Sequence, residues 1–93
     1  MRGRTLFQPA NVVYSPRMAM FIQRKKFDHA SLAYEVANSF KSFDLHMPGL
    51  VTAIAAVREI DGEHWVYVTT EGDLVEGNQF LLPEYDLVLA TDS

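Results

Sequence analysis

The firmest local signal in the chain is "REIDGEHWVYVTT", residues 58 to 70, where apolar residues fill consecutive positions from Trp65 to Val68 after a turn dipeptide. Asp61-Gly62 at its centre strongly favours a two-residue type I′ turn, because both central residues of that turn need φ > 0. Counting outward from the turn sets Ile60 opposite Glu63, Arg58 opposite Trp65, Val57 opposite Val66 and Ala56 opposite Tyr67. The predicted hairpin, Leu50–Ile60 with Glu63–Thr70, then carries Val51, Ala55, Val57, Val66 and Val68 on one face. Its other face carries Ile54, Ala56, Arg58, Ile60, Trp65 and Tyr67. Both faces are apolar, so both call for cover.

Upstream, the short apolar run "RMAMFIQRKKF", residues 17–27, reads as a strand, although unbranched Met18 and Met20 also suit a helix. Asp28 is a candidate N-cap for the next element. From there Ala30, Ala33, Val36, Ala37 and Phe40 recur at spacings of three and four, with Leu32 and Phe43 beside the stripe. That spacing predicts one amphipathic helix over roughly residues 29–42. Pro48-Gly49 ends any continuation, leaving residues 44–49 as a loop. Further on, Glu71-Gly72-Asp73 and Gly77-Asn78 read as turns, and Gln79–Leu82 and Leu87–Ala90 as short strands either side of Pro83. Before the first long strand, Val12–Tyr14 is a brief pairing candidate stopped by Ser15-Pro16.

The predicted order is strand, helix, strand, strand, then short C-terminal strands. It defines an α+β fold with one amphipathic helix packed on a small, mainly antiparallel sheet. Residues 1–11 read as an irregular basic arm, and residues 12–93 as a single α+β domain. One helix covers one sheet face. The Val face is expected to take it, leaving the Trp65/Tyr67 face to the arm, to residues 81–89, to a second copy or to a foreign partner.

Composition narrows the classes. A 48% apolar and 22% charged chain of 93 residues is an ordinary globule, long enough for a modest core. With no cysteine there is neither a disulfide framework nor a Cys-based metal site. No apolar run approaches the ~20 residues of a membrane helix, and a signal-peptide core is missing, so no membrane partner and a cytoplasmic location are expected. The net charge of −4 conceals a division: residues 1–27 carry +6 and residues 28–93 carry −10. An acid-free start with several arginines also fits an organellar transit peptide, but Pro9, Pro16 and the weak amphipathic pattern argue against one.

Catalytic chemistry finds little support. Asp28, His29 and Ser31 have the residue types of a triad, yet positions one apart on a helix do not face each other. His46 and His64 lack a paired metal-ligand spacing, and neither phosphate-cradling glycine motif occurs. Glu59, Asp61 and Glu63 near the hairpin tip, with Glu71, Asp73 and Glu76 at later turns, have the chemistry of paired acids or calcium ligands. A closing glutamate at calcium-loop spacing is absent, and water-exposed turn tips commonly hold such acids. No enzyme, cofactor or metal is therefore expected.

Two binding constellations remain. Arg58, Trp65 and Tyr67 share one hairpin face, with Arg58 placed to stack over Trp65 for about 0.5–1 kcal/mol if exposed. These are the residue types that dominate interface hot spots, and the acids Glu59, Asp61, Glu63, Glu71 and Asp73 flank them. The alternative set, Arg17, Arg24, Lys25 and Lys26 with Arg2 and Arg4 on the arm, suits salt-dependent contact with nucleic-acid phosphates.

The layout of strand, Ala-rich helix "SLAYEVANSF" and hairpin "IDGEHWVYV" resembles small phage-encoded inhibitor proteins. Among these are anti-CRISPR proteins and inhibitors of host RNA polymerase. The resemblance covers residues 17 to 70 in element order, size and acidity, while the basic start differs from strongly acidic DNA mimics. It implies a compact non-enzymatic domain that occludes a larger host protein complex in the host cytosol. A self-assembling structural protein, with a homodimer burying the second face, is the remaining alternative.

Overall fold

The computed structural model describes residues 18–40, 45–75 and 79–92. Within them, four strands and one helix make up the fold: β1 (Met18–Phe27), α1 (Ala30–Ser39), β2 (Leu50–Ile60), β3 (Glu63–Asp73) and β4 (Asp86–Asp92). The strands form one sheet in the order β2-β3-β1-β4, with every neighbouring pair antiparallel. β1 and β2 are therefore parallel, with β3 inserted between them, which makes a split β-α-β unit. The arm over residues 1–11, Arg17, Val12–Tyr14, Phe43 and the Gly77-Asn78 turn lie outside the described residues.

The β2–β3 hairpin has the register expected from its turn. Ile60 faces Glu63, Arg58 faces Trp65, Val57 faces Val66 and Ala56 faces Tyr67. Asp61 and Gly62 have φ of 52° and 78°, the positive values that a type I′ turn requires. At the far end the pairing continues beyond Thr70, and Glu71-Gly72-Asp73 is strand, not turn. Gly72 serves a different purpose there. A Cβ on it would overlap the Gly49 carbonyl oxygen and lie 2.8 Å from the Leu50 Cα, so only glycine lets β2 start this close to β3. The register shifts between Leu50 and Thr52, which throws Val51 out of the Val face and leaves it 66% exposed.

The helix is shorter than its apolar stripe. His29, extended at φ −133° and ψ 142°, holds the N-cap position without a side-chain cap bond, and Asp28 is exposed one residue too early to cap. At the other end Phe40 leaves helical geometry (φ −71°, ψ 128°). The Ser39 hydroxyl donates to the Glu35 carbonyl at 2.8 Å, a local bond that competes with continuation of the helix. Ala33 is fully buried against Val66 and Val68, with Val36, Ala37, Phe40, Ala55 and Val57 packed around them.

Residues 79–82 are not a strand. They belong to a connection from β3 to β4 that crosses the same sheet face as α1: Leu82 and Tyr85 join the Ala33 cluster, and Phe80 packs on Ala19 and Phe21. The Phe21 and Phe80 rings meet edge to face with centroids 6.0 Å apart, a favoured arrangement for aromatic pairs. Two buried polar side chains fasten this strap. Gln23 Nε2 donates to the Phe80 carbonyl at 2.9 Å, while Gln23 Oε1 accepts from the Leu82 amide at 2.6 Å. The Thr70 hydroxyl donates to the same Phe80 carbonyl at 2.7 Å. A strap without strand partners has its backbone groups satisfied in this way. Burial of the Tyr85 phenol pushes its pKa up from its ordinary value.

Candidate interaction face

Helix and strap lie on one side of the sheet. The other side carries the alternate residues of the same strands: Ile22, Arg24 and Lys26 from β1, Ile54, Ala56 and Arg58 from β2, Trp65, Tyr67 and Thr69 from β3, and Leu89 from β4. No described segment covers them. Of the four possible covers, residues 81–89 do not supply it: residues 81 and 82 pack on the helix side, and Leu89 extends the open face. Ile54 is 64% exposed and Leu89 47%. A shallow pocket of about 310 Å³ lies between β1, β2 and β3, lined by Ile22, Ile54, Ala56, Arg58, Tyr67 and Thr69.

The aromatic pair of this face is organised by Arg24. Its guanidinium stands 4.1 Å from the Trp65 ring centroid and 5.8 Å from that of Tyr67, and its Nη1 donates to the Tyr67 hydroxyl at 2.8 Å. The expected stacking of Arg58 on Trp65 is replaced by this arrangement. Arg58 is opposite Trp65 in register, but it is exposed on edge strand β2, whereas Arg24 reaches across from the central strand β1. In register Arg24 faces Tyr67 and Lys26 faces Trp65, so the contact with Trp65 is a diagonal one. Trp65 and Tyr67 are consequently half-buried, with a cation held over them.

The other charged candidates divide. Lys26 pairs with Glu63 at 3.1 Å beside the hairpin tip, on the open side. Lys25 has the opposite strand parity, points to the helix side, and pairs with Glu84 at 2.9 Å. The hydrogen bond from Lys25 holds the Glu84 carboxyl below its ordinary pKa, and the same bond raises that of Lys25. The basic run "RKK" thus splits between two faces, as strand alternation requires. The acids separate as well. Glu59, Asp61 and Glu63 sit at the hairpin tip, whereas Glu71 and Asp73 lie at the opposite end of β3, about 30 Å away at the usual rise per residue. The five acids do not form one surface.

A second, more polar cleft of about 200 Å³ lies at the tip, lined by Lys26, Phe27, Asp28, Gly62, Glu63 and His64. Among the described residues no group of three or more His, Asp or Glu is placed to hold a metal, and no helix is long and apolar enough to cross a membrane. Sequence reasoning missed the Gln23 clamp and the place of Arg24. The signal for the first was present: Ala19, Phe21 and Gln23 share one strand face, so a glutamine falls in an apolar series.

The open face has the composition of a binding surface: an aromatic pair with a stacked arginine, a further exposed arginine and exposed aliphatic residues. No family model matches the chain, and comparison with curated proteins and with solved structures likewise finds no match.

Proposed function

We propose that this is a non-catalytic binding protein, an inhibitor or regulator that occludes a larger protein complex by seating it against the open sheet face. One observation carries the reading. Arg24, Arg58, Trp65 and Tyr67 are gathered beside exposed Ile54 on the sheet face that no described segment covers. Trp, Tyr and Arg dominate interface hot spots, and truncating one at the centre of an interface typically costs about 2 kcal/mol or more. The Arg24–Tyr67 hydrogen bond fixes the aromatics in advance, which reduces the ordering cost of binding. The resemblance of its element order to small phage-encoded inhibitors motivates occlusion of a host complex in the host cytosol as the mode of action.

The test compares wild type, Trp65→Ala and, as a control on the other side, Glu84→Gln as affinity baits in a cell extract. A complex retained by wild type and by Glu84→Gln at moderate salt, but lost from folded Trp65→Ala, is the expected outcome. Identical retention by all three baits would defeat the reading.

A nucleic-acid reading is favoured by one feature. Arg24, Lys26 and Arg58 surround the Trp65/Tyr67 pair on an open antiparallel sheet, the kind of platform on which single strands stack. Its mark is quenching of Trp65 fluorescence by a single-stranded oligonucleotide, with an affinity that falls steeply as salt rises.

A further inference from the structure

Among the described residues the sheet has two outer strands, β2 and β4, and their edges differ. β4 is seven residues long, has aspartate at both ends, and is bulged at Val88, where the register shifts against Ile22 and Gln23. Short length, charge and a bulge are the devices that blunt an edge against further pairing. β2 is eleven residues long and has no charged residue from Leu50 to Val57. It also lacks lysine and proline throughout, and its one irregularity is at Val51.

The backbone direction along β2 is set by the hairpin. The turn bond makes Ile60 and Glu63 a hydrogen-bonded pair. Alternation then aims the backbone groups of Arg58, Ala56 and Ile54 at β3, and those of Val57, Ala55 and Ala53 outward. Three consecutive outward positions thus present N–H and C=O groups on small or β-branched residues.

We propose that this edge pairs with the same strand of a second copy, antiparallel about a two-fold axis at Ala55, to join the described strands of both copies in one continuous sheet. The register about Ala55 is self-complementary over the regular part of the strand, from Thr52 to Arg58. Ala55 meets Ala55 of the second copy, Ala53 meets Val57 and Thr52 meets Arg58, with the bulge at Val51 beyond the paired stretch. No like charges fall opposite one another. Exposed Ile54 comes beside Ala56 of the second copy, whose small side chain leaves room for it. The outward groups of Ala53, Ala55 and Val57 from both copies supply about six hydrogen bonds across the junction. An axis through Ala55 perpendicular to the sheet keeps both open faces on the same side, so the dimer displays the Trp65/Tyr67 platform twice. The dimer itself does not depend on what that platform binds.

Sedimentation across a dilution series, from micromolar to millimolar, tests this. Wild type is expected at twice the 10.5 kDa chain mass. Ala55→Pro removes an outward N–H while leaving the ladder to β3 intact, and is expected at the single-chain mass with its circular dichroism unchanged. Should proline unfold the strand, Ile54→Lys at an exposed edge position decides instead, with the same expectation. Leu89→Lys lies on the open face but on β4, far from the junction, and is expected to remain a dimer. Wild type sedimenting as a single chain throughout would overturn the proposal. So would a dimer that survives Ile54→Lys, or one that Leu89→Lys dissociates.

Discussion

The two faces of one sheet solve opposite problems with the same strands. On the helix side, β3 contributes Val66, Val68 and Thr70, all fully buried, and the strap is held there by the side chains of Gln23 and Thr70. On the open side, the alternate residues Trp65, Tyr67 and Thr69 meet solvent and a stacked guanidinium. Alternating positions of a single strand thus separate stability from recognition. A substitution at Val66, Val68 or Thr70 is a folding change, and one at Trp65, Tyr67 or Thr69 acts at the open face.

The largest effect that sharpens this contrast is expected from Phe80→Ala. Phe80 is fully buried, and its loss leaves a cavity against Ala19 and Phe21, at a cost of about 3–5 kcal/mol in urea unfolding. Gln23→Leu comes next. It strands the Leu82 amide in a part-buried site and removes one of two donors to the Phe80 carbonyl, for a loss of about 2 kcal/mol by the same measurement. Arg24→Met, on the other face, removes the stacked cation and its hydrogen bond to the Tyr67 hydroxyl, which water can replace at this half-exposed site, and should cost about 1 kcal/mol. Its clearer sign is a change in Trp65 fluorescence, because the charge beside the ring is gone. A cost for Arg24→Met as large as that for Gln23→Leu would erase the distinction between the faces.

The smallest effect belongs to the Lys25–Glu84 pair. Its two partners are exposed, and such pairs contribute little. Glu84 has a folded pKa below its unfolded one, so its contribution is present at neutral pH and is lost as pH falls through that lowered value. Lys25 has a raised folded pKa, so its contribution is complete below the unfolded value and is lost as pH rises through the raised one. Glu84→Gln is expected to lower Tm only slightly, and only between those two limits, as calorimetry over a pH series would register.

What the sequence made legible was local. The Asp61-Gly62 turn fixes its own hairpin register, so every pair counted outward from it is found in the sheet. The single helix on an antiparallel sheet follows from period and order alone. What escaped depends on which strands become neighbours. Nothing local says that β1 inserts between β3 and β4, and without that Arg24 cannot be set over Trp65 in place of Arg58. The same blindness made a turn of Glu71-Gly72-Asp73, since a glycine needed for close strand approach looks locally like one needed for a bend. Gln79–Leu82 has strand composition, yet its backbone partners are the side chains of Gln23 and Thr70.

The Gln23 clamp also joins the strap to the sheet as one unit. β1, α1, β2 and β3 all precede the strap in the chain, and with the strap undocked the amide of Gln23 and the hydroxyl of Thr70 are open to hydration. Docking exchanges those waters for the Phe80 carbonyl and the Leu82 amide in a single closing step. Undocking would thus hydrate those groups together with Phe80, as one local unit distinct from the hairpin. The Leu82 amide proton is the natural reporter of that undocking, exchanging with solvent ahead of the β1–β3 ladder on which the strap rests.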